Sequence, residues 1–141
     1  MIINVRWLAG FFDGEGSISV ARQGVGHSKG RGRLAITLTQ AGPIGLEVLT
    51  AIRDFIYIQG IRSTVLNKSI VEGSKQGYML SITGWENGIN FIVFLYPYLI
   101  VKRQLAQDTI RFSKVFPDMF RHTGWLARES RVNNLAANQS Q

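Results

Sequence analysis

The sequence has no cysteine and only two histidines among its 141 residues. Without cysteine the chain can form neither a disulfide bond nor a thiolate metal site. The two histidines, His27 and His122, are far apart and lie in polar segments typical of turns, so they do not predict a zinc site. We expect each histidine to lie at the surface or against a phosphate group.

Long apolar runs are also missing. The longest candidate, residues 89–101, contains Asn90 and Pro97 and is shorter than the roughly 20 residues that a membrane helix needs. The apolar amino-terminal segment reaches Asp13 and Glu15 without a cleavage-like site, so it does not predict a signal peptide. We therefore expect no membrane partner.

Acidic residues are scarce, since 9 Asp and Glu stand against 16 Lys and Arg and the net charge is +7. This balance favours a polyanionic partner, and nucleic acid is the obvious one. Charge alone does not distinguish nucleic-acid binding from simple solubility. The function therefore has to be argued from particular residues.

The order of apolar patterns predicts one α+β domain over residues 1–126, followed by a polar segment, 127–141, that is partly a loose tail. A further short helix is expected around Trp125. The predicted elements are a helix from the Asn4 cap to about Asp13, strands over 17–21 and 33–39, a helix over 44–58, strands over 63–71 and 76–83, and helices over 85–95 and about 98–116.

Alternation within the strands separates an apolar face from a polar, basic one. The residues expected to point inward are Ile18, Val20, Leu34, Ile36, Leu38, Tyr78, Leu80 and Ile82 on the strands, and Leu46, Leu49, Ile52, Phe55 and Ile56 on the second helix. Helices then cover one face of an antiparallel sheet. The uncovered face suits DNA, because strands can enter the major groove and read base edges.

Residues 8–16, Leu-Ala-Gly-Phe-Phe-Asp-Gly-Glu-Gly, place two carboxylates among glycines at the end of the first helix. A simple helix stop needs one glycine beyond the last turn and neither Asp13 nor Glu15. Such a place can hold a metal ion. Gly10 and Gly14 are four residues apart on one helical face, and small residues at that spacing let two helix backbones approach closely. Close approach of two copies would bring two Glu15 side chains together.

This run resembles the signature of the LAGLIDADG homing endonucleases. The signature occurs once, and in that family a single copy implies a homodimer whose two signature helices form the central pair. The resemblance further implies an αββαββα core with a saddle-shaped, four-stranded DNA-binding sheet and carboxy-terminal helices. A two-fold dimer presents the same surface to both half-sites, so the target is expected to be nearly palindromic. The implied interface residues are Leu8, Ala9, Gly10, Phe11, Asp13 and Gly14.

The resemblance also implies the chemistry, which is hydrolysis of DNA with Mg²⁺ or Mn²⁺, while Ca²⁺ supports binding without cleavage. Glu15 is then the metal-binding acid and Gly14 lends its carbonyl. Most relatives carry Asp where this chain has Glu15, but Glu remains a good hard ligand. Gln40 falls where relatives orient the attacking water. Lys102 falls on their catalytic lysine, which can stabilise charge on the phosphate. Relatives carry a basic residue just after the glutamine position; it has no counterpart here, and Arg103 is a candidate to compensate.

The predicted DNA contacts come from both hairpins and the last helix. Arg33 is the sharpest prediction, because arginine can pair bidentately with guanine. The first hairpin contributes Ser17, Ser19, Gln23, Arg31, Arg33 and Thr37. The second contributes Asn67, Lys68, Lys75, Gln76, Met79 and Ser81, although its strand register is ambiguous. Phosphate contacts are expected from Lys29, Arg111 and Lys114. A solvated surface role is equally open for each.

Together these features predict an intron-encoded homing endonuclease that cuts both strands of a long DNA target as a homodimer. We expect it to act in the compartment that holds its intron-bearing DNA, either a prokaryotic cytoplasm or an organelle, and to use no small-molecule substrate. The alternative is a nuclease-inactive protein on the same fold, either a maturase that binds intron RNA or a DNA-binding regulator. A basic ribosome-associated protein would explain the charge but not the signature.

Overall fold

The computed structural model describes residues 1–22, 32–68 and 72–115. Its helices and strands follow the predicted αββαββα order. They are α1 (Val5–Glu15), β1 (Gly16–Arg22), β2 (Gly32–Ala41), α2 (Gly42–Ile58), β3 (Thr64–Asn67), β4 (Gly77–Thr83), α3 (Trp85–Leu95), a short 3₁₀ helix (Tyr96–Tyr98) and α4 (Arg103–Val115). The predicted α+β class is confirmed.

The strands form one antiparallel sheet in the order β1-β2-β4-β3. Both inner strands alternate as predicted, since Leu34, Ile36 and Leu38 on β2 and Leu80 and Ile82 on β4 are fully buried. The residues between them are partly or fully exposed. The sheet therefore has one face packed into the core and one open face.

Helices α1, α2 and α3 cover the packed face. Phe12 of α1 meets Phe91 of α3 edge to face, with ring centroids 5.2 Å apart. Trp85, at the start of α3, stacks on Phe112 of α4, and its indole N–H donates to the carbonyl of Gly32 at 2.8 Å. That bond satisfies a polar atom which burial would otherwise leave unpaired. No helix in the described ranges is long and apolar enough to cross a membrane.

Two residues predicted to be buried are not. Val20 is 49% exposed, because it lies near the outer end of β1, an edge strand with a neighbour on one side only. Leu46 is 37% exposed. The buried stripe of α2 runs through Gly45, Leu49 and Ile52, so Leu46 is one residue out of phase with it.

Three element boundaries also differ from the predictions. α1 continues to Glu15, and β3 is a short strand of 4 residues. α4 begins at Arg103 instead of Tyr98, because residues 96–98 form a 3₁₀ turn around Pro97. Predictions that lie outside the described residues concern Gln23, Lys29, Arg31, both histidines, the short helix around Phe120, Trp125 and Leu126, and the tail over 127–141.

Candidate functional site

The signature acids lie where α1 ends and β1 begins. Asn4 caps the start of α1, since its side chain accepts from the Trp7 N–H at 2.9 Å. At the other end the Gly16 N–H bonds to the carbonyl of Phe12. Glu15 is the last helical residue and is exposed. No described residue donates a hydrogen bond to Glu15 or forms an ion pair with it, so its carboxylate is available to a ligand.

Asp13 and Lys102 connect this helix end to the segment before α4. The Lys102 ammonium donates to the backbone carbonyl of Asp13 at 2.7 Å, and the Lys102 N–H donates to Asp13 Oδ1 at 2.9 Å. Asp13 Oδ2 accepts from the Ile100 N–H at 2.7 Å. A cation at the carboxyl end of a helix is favourable, because the last carbonyls carry partial negative charge. The structure thus brings Lys102 beside the signature, 89 residues away in sequence.

Gln40 lies at the same end of the sheet as Glu15. Leu38 pairs with Gly16, the residue that follows Glu15. Gln40 is two positions further along β2 and pairs with Tyr78, so it lies on the helix-covered side of this sheet end. Gly45 of α2 packs against the backbone of Gln40, since a Cβ on Gly45 would lie 2.9 Å from Gln40 Cβ and 3.1 Å from its carbonyl carbon. Gly45 thereby sets how closely α2 approaches Gln40.

The donor set at this helix end fits a hard cation and does not fit zinc. In residues 1–22, 32–68 and 72–115, no three His, Asp or Glu side chains are close enough to form a metal cage. Glu15 and the exposed backbone at Gly14 instead offer one carboxylate and one carbonyl. Mg²⁺ is commonly bound by one or two carboxylates together with waters and substrate phosphates. Glu15 and Gly14 thus offer part of such a ligand set.

The outer stripe of α1 is apolar and sterically open. Trp7 and Phe11 stack with ring centroids 5.0 Å apart. An added Cβ on Gly10 or Gly14 would meet no other atom within 4 Å, so packing within one chain does not require glycine at either position. The residues of this stripe, which we call the α1 stripe, are Trp7, Gly10, Phe11 and Gly14.

Three residues predicted for the dimer interface face the protein's own fold instead. Leu8 and Ala9 are fully buried in the core, and they have no surface left for a partner. Asp13 uses both carboxylate oxygens within its own chain. Of the residues predicted for the interface, Gly10, Phe11 and Gly14 keep exposed surface, and the exposed Trp7 beside them was not singled out by the sequence pattern. Its spacing of three and four residues from Gly10 and Phe11 was the available signal.

Most of the described residues that were predicted to contact DNA bases lie on the open face of the sheet. On β1 and β2 the side chains bond across the strands, with Ser17 Oγ 3.0 Å from Thr37 Oγ1 and Ser19 Oγ donating to the carbonyl of Ala35 at 3.4 Å. Arg33 is exposed at the start of β2. The strand register places Thr39, Met79, Ser81, Thr83, Thr64 and Leu66 on this same face.

The second hairpin corrects two predictions. Asn67 pairs with Tyr78, whose neighbours Leu80 and Ile82 point into the core, so Asn67 belongs to the helix-covered face. The Gln76 amide donates to the carbonyls of Lys68 and Gly77 at 2.6 and 2.8 Å, so its hydrogens hold the hairpin together and do not reach a base.

The remaining predicted basic contacts are exposed but differ in location. Lys68 and Lys75 flank the turn between β3 and β4, at one end of the sheet. Arg111 and Lys114 lie on α4, which packs on α3 and the 3₁₀ helix, away from the open face. Arg103 places its guanidinium 4.7 Å from the ring centroid of Tyr96, next to Lys102 in the chain.

The open sheet, its helical layer and the signature helix define the fold of the LAGLIDADG homing endonucleases, and the predicted resemblance is confirmed at the level of the fold. One similar solved structure is an archaeal intron-encoded homing endonuclease, I-Vdi141I, complexed with DNA. The two chains are 24% identical with a TM-score of 0.62, and the match covers 97% of this chain and 84% of that one.

Two further solved structures match. I-CvuI in complex with its target in the presence of 2 mM Ca is 21% identical, with a TM-score of 0.53 over 96% of this chain and 89% of that one. The meganuclease I-SmaMI bound to DNA is 16% identical, with a TM-score of 0.63 over 97% of this chain but only 44% of that one. No family model and no curated protein sequence matches the chain.

Proposed function

We propose that this protein is a site-specific homing endonuclease that hydrolyses both strands of a long, nearly palindromic DNA target as a homodimer with a divalent metal ion. The observation that carries this proposal is the meeting of Lys102 with the signature residues at the end of α1. An acid available to a ligand, a lysine and a glutamine lie at or near one end of an open sheet. Phosphodiester hydrolysis uses groups of these kinds.

Binding of double-stranded DNA is supported by the sheet and by the structural neighbours. I-Vdi141I and I-CvuI have this fold and were crystallised with DNA. In the present chain the open face carries hydroxyls, Arg33 and, at one end, exposed lysines. Hydroxyl and guanidinium groups can bond to base edges, whereas lysines mainly contact phosphates.

Homodimerisation is supported by the α1 stripe. Two glycines with open space above them, beside a stacked pair of aromatic rings, suit close packing against a second copy of the same helix. Such pairing is isologous, because the same stripe is used by both copies. It would set two Glu15 carboxylates near one two-fold axis, one for each DNA strand.

Glu15 and the Gly14 carbonyl would hold Mg²⁺ or Mn²⁺, which when bound supplies charge stabilisation at the scissile phosphate and a more reactive water. Lys102 has three N–H donors, and the Asp13 carbonyl uses one of them. The others can donate to phosphate oxygens as charge develops there. The Gln40 amide has both donors and an acceptor, which suits it to hold a water molecule in place.

The decisive experiment is selection of cleaved sites from a randomised double-stranded DNA library. The native protein is incubated with Mg²⁺ and, separately, with Ca²⁺, and Glu15→Gln is tested in Mg²⁺. Glu47→Gln is the matched control, since Glu47 is an exposed glutamate on α2 and is not one of the proposed site residues. We expect one nearly palindromic site, cut in Mg²⁺ by the native protein and by the control only.

Binding without cutting under every condition would contradict the proposal and favour a nuclease-inactive maturase or regulator, for which intron RNA is the next ligand to test. Cleavage by Glu15→Gln at the native rate would refute the proposed role of Glu15 but not the nuclease function. We also propose that the gene lies in an intron and that the protein acts where that intron's DNA is kept.

A further inference from the structure

Asp13 binds Lys102 at both ends of the lysine. Its carboxylate accepts from the Lys102 backbone N–H, and its backbone carbonyl accepts from the Lys102 ammonium. The second carboxylate oxygen accepts from the Ile100 N–H, two residues earlier. One acidic residue therefore fixes the backbone on which Lys102 is mounted and also the direction of its side chain.

The segment held in this way has few other constraints. Ile100 and Val101 are 83% and 75% exposed, so burial does not fix their positions. Lys102 itself precedes α4, and its carbonyl accepts the first hydrogen bond of that helix, from the Ala106 N–H at 2.8 Å. A carboxylate near the first turn of a helix is favourable electrostatically. Asp13 thus holds the residue from which α4 begins.

Lysine is a flexible side chain that loses considerable rotamer freedom when it is held in one place. Here the ring of Phe12 lies below the ammonium, with Nζ 5.7 Å from the ring centroid, and the Asp13 carbonyl lies at 2.7 Å. These contacts orient the charge before any DNA arrives. Pre-organisation of this kind matters most for a group that must stabilise charge in a transition state.

We propose that Asp13 is a positioning residue for Lys102. In this assignment the first acid of the signature acts within its own chain, through the lysine. The catalytic part of the inference rests on the proposed nuclease function. The positioning part concerns the ammonium of Lys102 and can be tested without any cleavage.

The test without cleavage is competitive acetylation of the folded protein, followed by mass spectrometry of each lysine. In the native protein we expect Lys102 to react more slowly than exposed Lys114. Asp13→Asn retains one acceptor and loses the other, so it should raise the Lys102 rate several-fold and leave Lys114 unchanged. Asp54→Asn, which removes an exposed carboxylate on α2, is the matched control. An unchanged Lys102 rate in Asp13→Asn would overturn the proposal.

The test with cleavage is a double-mutant cycle of Asp13→Asn and Lys102→Met, measured as single-turnover rate constants at saturating DNA. We expect Asp13→Asn to slow the native protein about tenfold or more, while DNA affinity in Ca²⁺ changes less than about twofold, and to have almost no effect in the Lys102→Met background. Equal slowing in both backgrounds, or weaker DNA binding with an unchanged rate, would contradict the assignment.

If Asp13→Asn does not fold, Asp13→Glu replaces it in both experiments, since it keeps the charge but displaces the carboxylate. The two experiments separate the two proposals. A native protein that cuts no DNA while Asp13→Asn still releases Lys102 would refute the nuclease and retain the positioning. If the native protein cuts DNA but Lys102 reacts at the same rate in the native protein and in Asp13→Asn, the nuclease function is retained and the positioning role is refuted.

Discussion

At the scale of single residues, the function depends on side chains that the fold leaves available. Glu15 is exposed and makes no hydrogen bond to any described residue, whereas Asp13, two positions earlier, has both oxygens occupied. In the proposed function these two acids of one signature therefore differ in role. Glu15 keeps its carboxylate for a ligand, whereas Asp13 bonds within its own chain.

Replacement of Arg33 by alanine is expected to relax the preference for one base pair in each half-site. Arg33 is exposed at the start of β2, where a guanidinium can pair bidentately with guanine, and such a pair is worth about 1–3 kcal/mol of discrimination. Lys75→Ala, at an exposed turn position, should instead weaken binding about equally for all sequences. Binding to a library of singly substituted targets measures both. An unchanged base profile for Arg33→Ala would exclude a reading role.

At the scale of elements, helix α1 serves two purposes on two faces. Leu8, Ala9 and Phe12 fill the core, while Gly10 and Gly14 leave the outer stripe open. Helix α2 also depends on a glycine, because Gly45 lets it approach the backbone of β2. Substitution of Gly10 therefore tests packing of α1 against a second copy, whereas substitution of Gly45 tests packing of α2 against β2.

Gly10→Leu is expected to separate dimerisation from folding. A Cβ at this position meets no other atom within 4 Å and leucine is a better helix former than glycine, so the free energy of unfolding of the monomer should be unchanged or rise by about 1 kcal/mol. The bulk would keep two α1 helices apart. Sedimentation at micromolar protein should then show a monomer for Gly10→Leu and a dimer for Glu47→Leu, which adds the same side chain to exposed α2. A dimeric Gly10→Leu would exclude the α1 stripe as the interface.

Gly45→Ala is expected to destabilise the fold and displace Gln40. The new Cβ would lie 2.9 Å from Gln40 Cβ, a contact with strand backbone on one side that cannot yield easily. Overpacking of this kind costs about 1–3 kcal/mol. Urea unfolding measures the loss, and the cleavage rate at saturating DNA reports on Gln40. Glu47→Ala, at an exposed position of the same helix, serves as the control for stability. An equally stable Gly45→Ala would show that α2 can shift without cost.

At the scale of the whole molecule, the net charge and the proposed two-fold symmetry together bear on DNA binding. In the proposed homodimer the net charge of +7 would be doubled. The helical layer stays on the side of each sheet opposite the open face. If the proposed function holds, long-range attraction to DNA would be a property of the dimer, whereas base recognition would belong to residues on the sheet.

DNA binding is expected to depend steeply on salt. A protein that neutralises 6–10 phosphates loses about 10³ to 10⁵ in affinity between 50 and 200 mM salt, and a basic dimer of this size falls in that class. Removal of Lys68 and Lys75 together should reduce the slope of log K against log salt by about one for each phosphate that is no longer neutralised. Titrations in Ca²⁺ at several salt concentrations measure the slope. A flat salt response would argue against a phosphate-dominated interface.

The sequence by itself determined the class of the fold, the signature at the end of α1 and the open face of β1 and β2. These features are local, since helical spacing and strand alternation are read from neighbouring residues. Gln40 and Lys102 were located through resemblance to the signature family and not through periodicity.

The tertiary structure alone decided that Asp13 is engaged within its own chain, that Leu8 and Ala9 face the core, and which register β3 takes. Asn67 illustrates the reason, because a strand of 4 residues carries too little alternation to show its face until β4 pairs with it. The contact between Asp13 and Lys102 illustrates it again, since 89 residues separate them. Such contacts depend on how the elements pack, and no local pattern of apolar and polar residues records that packing.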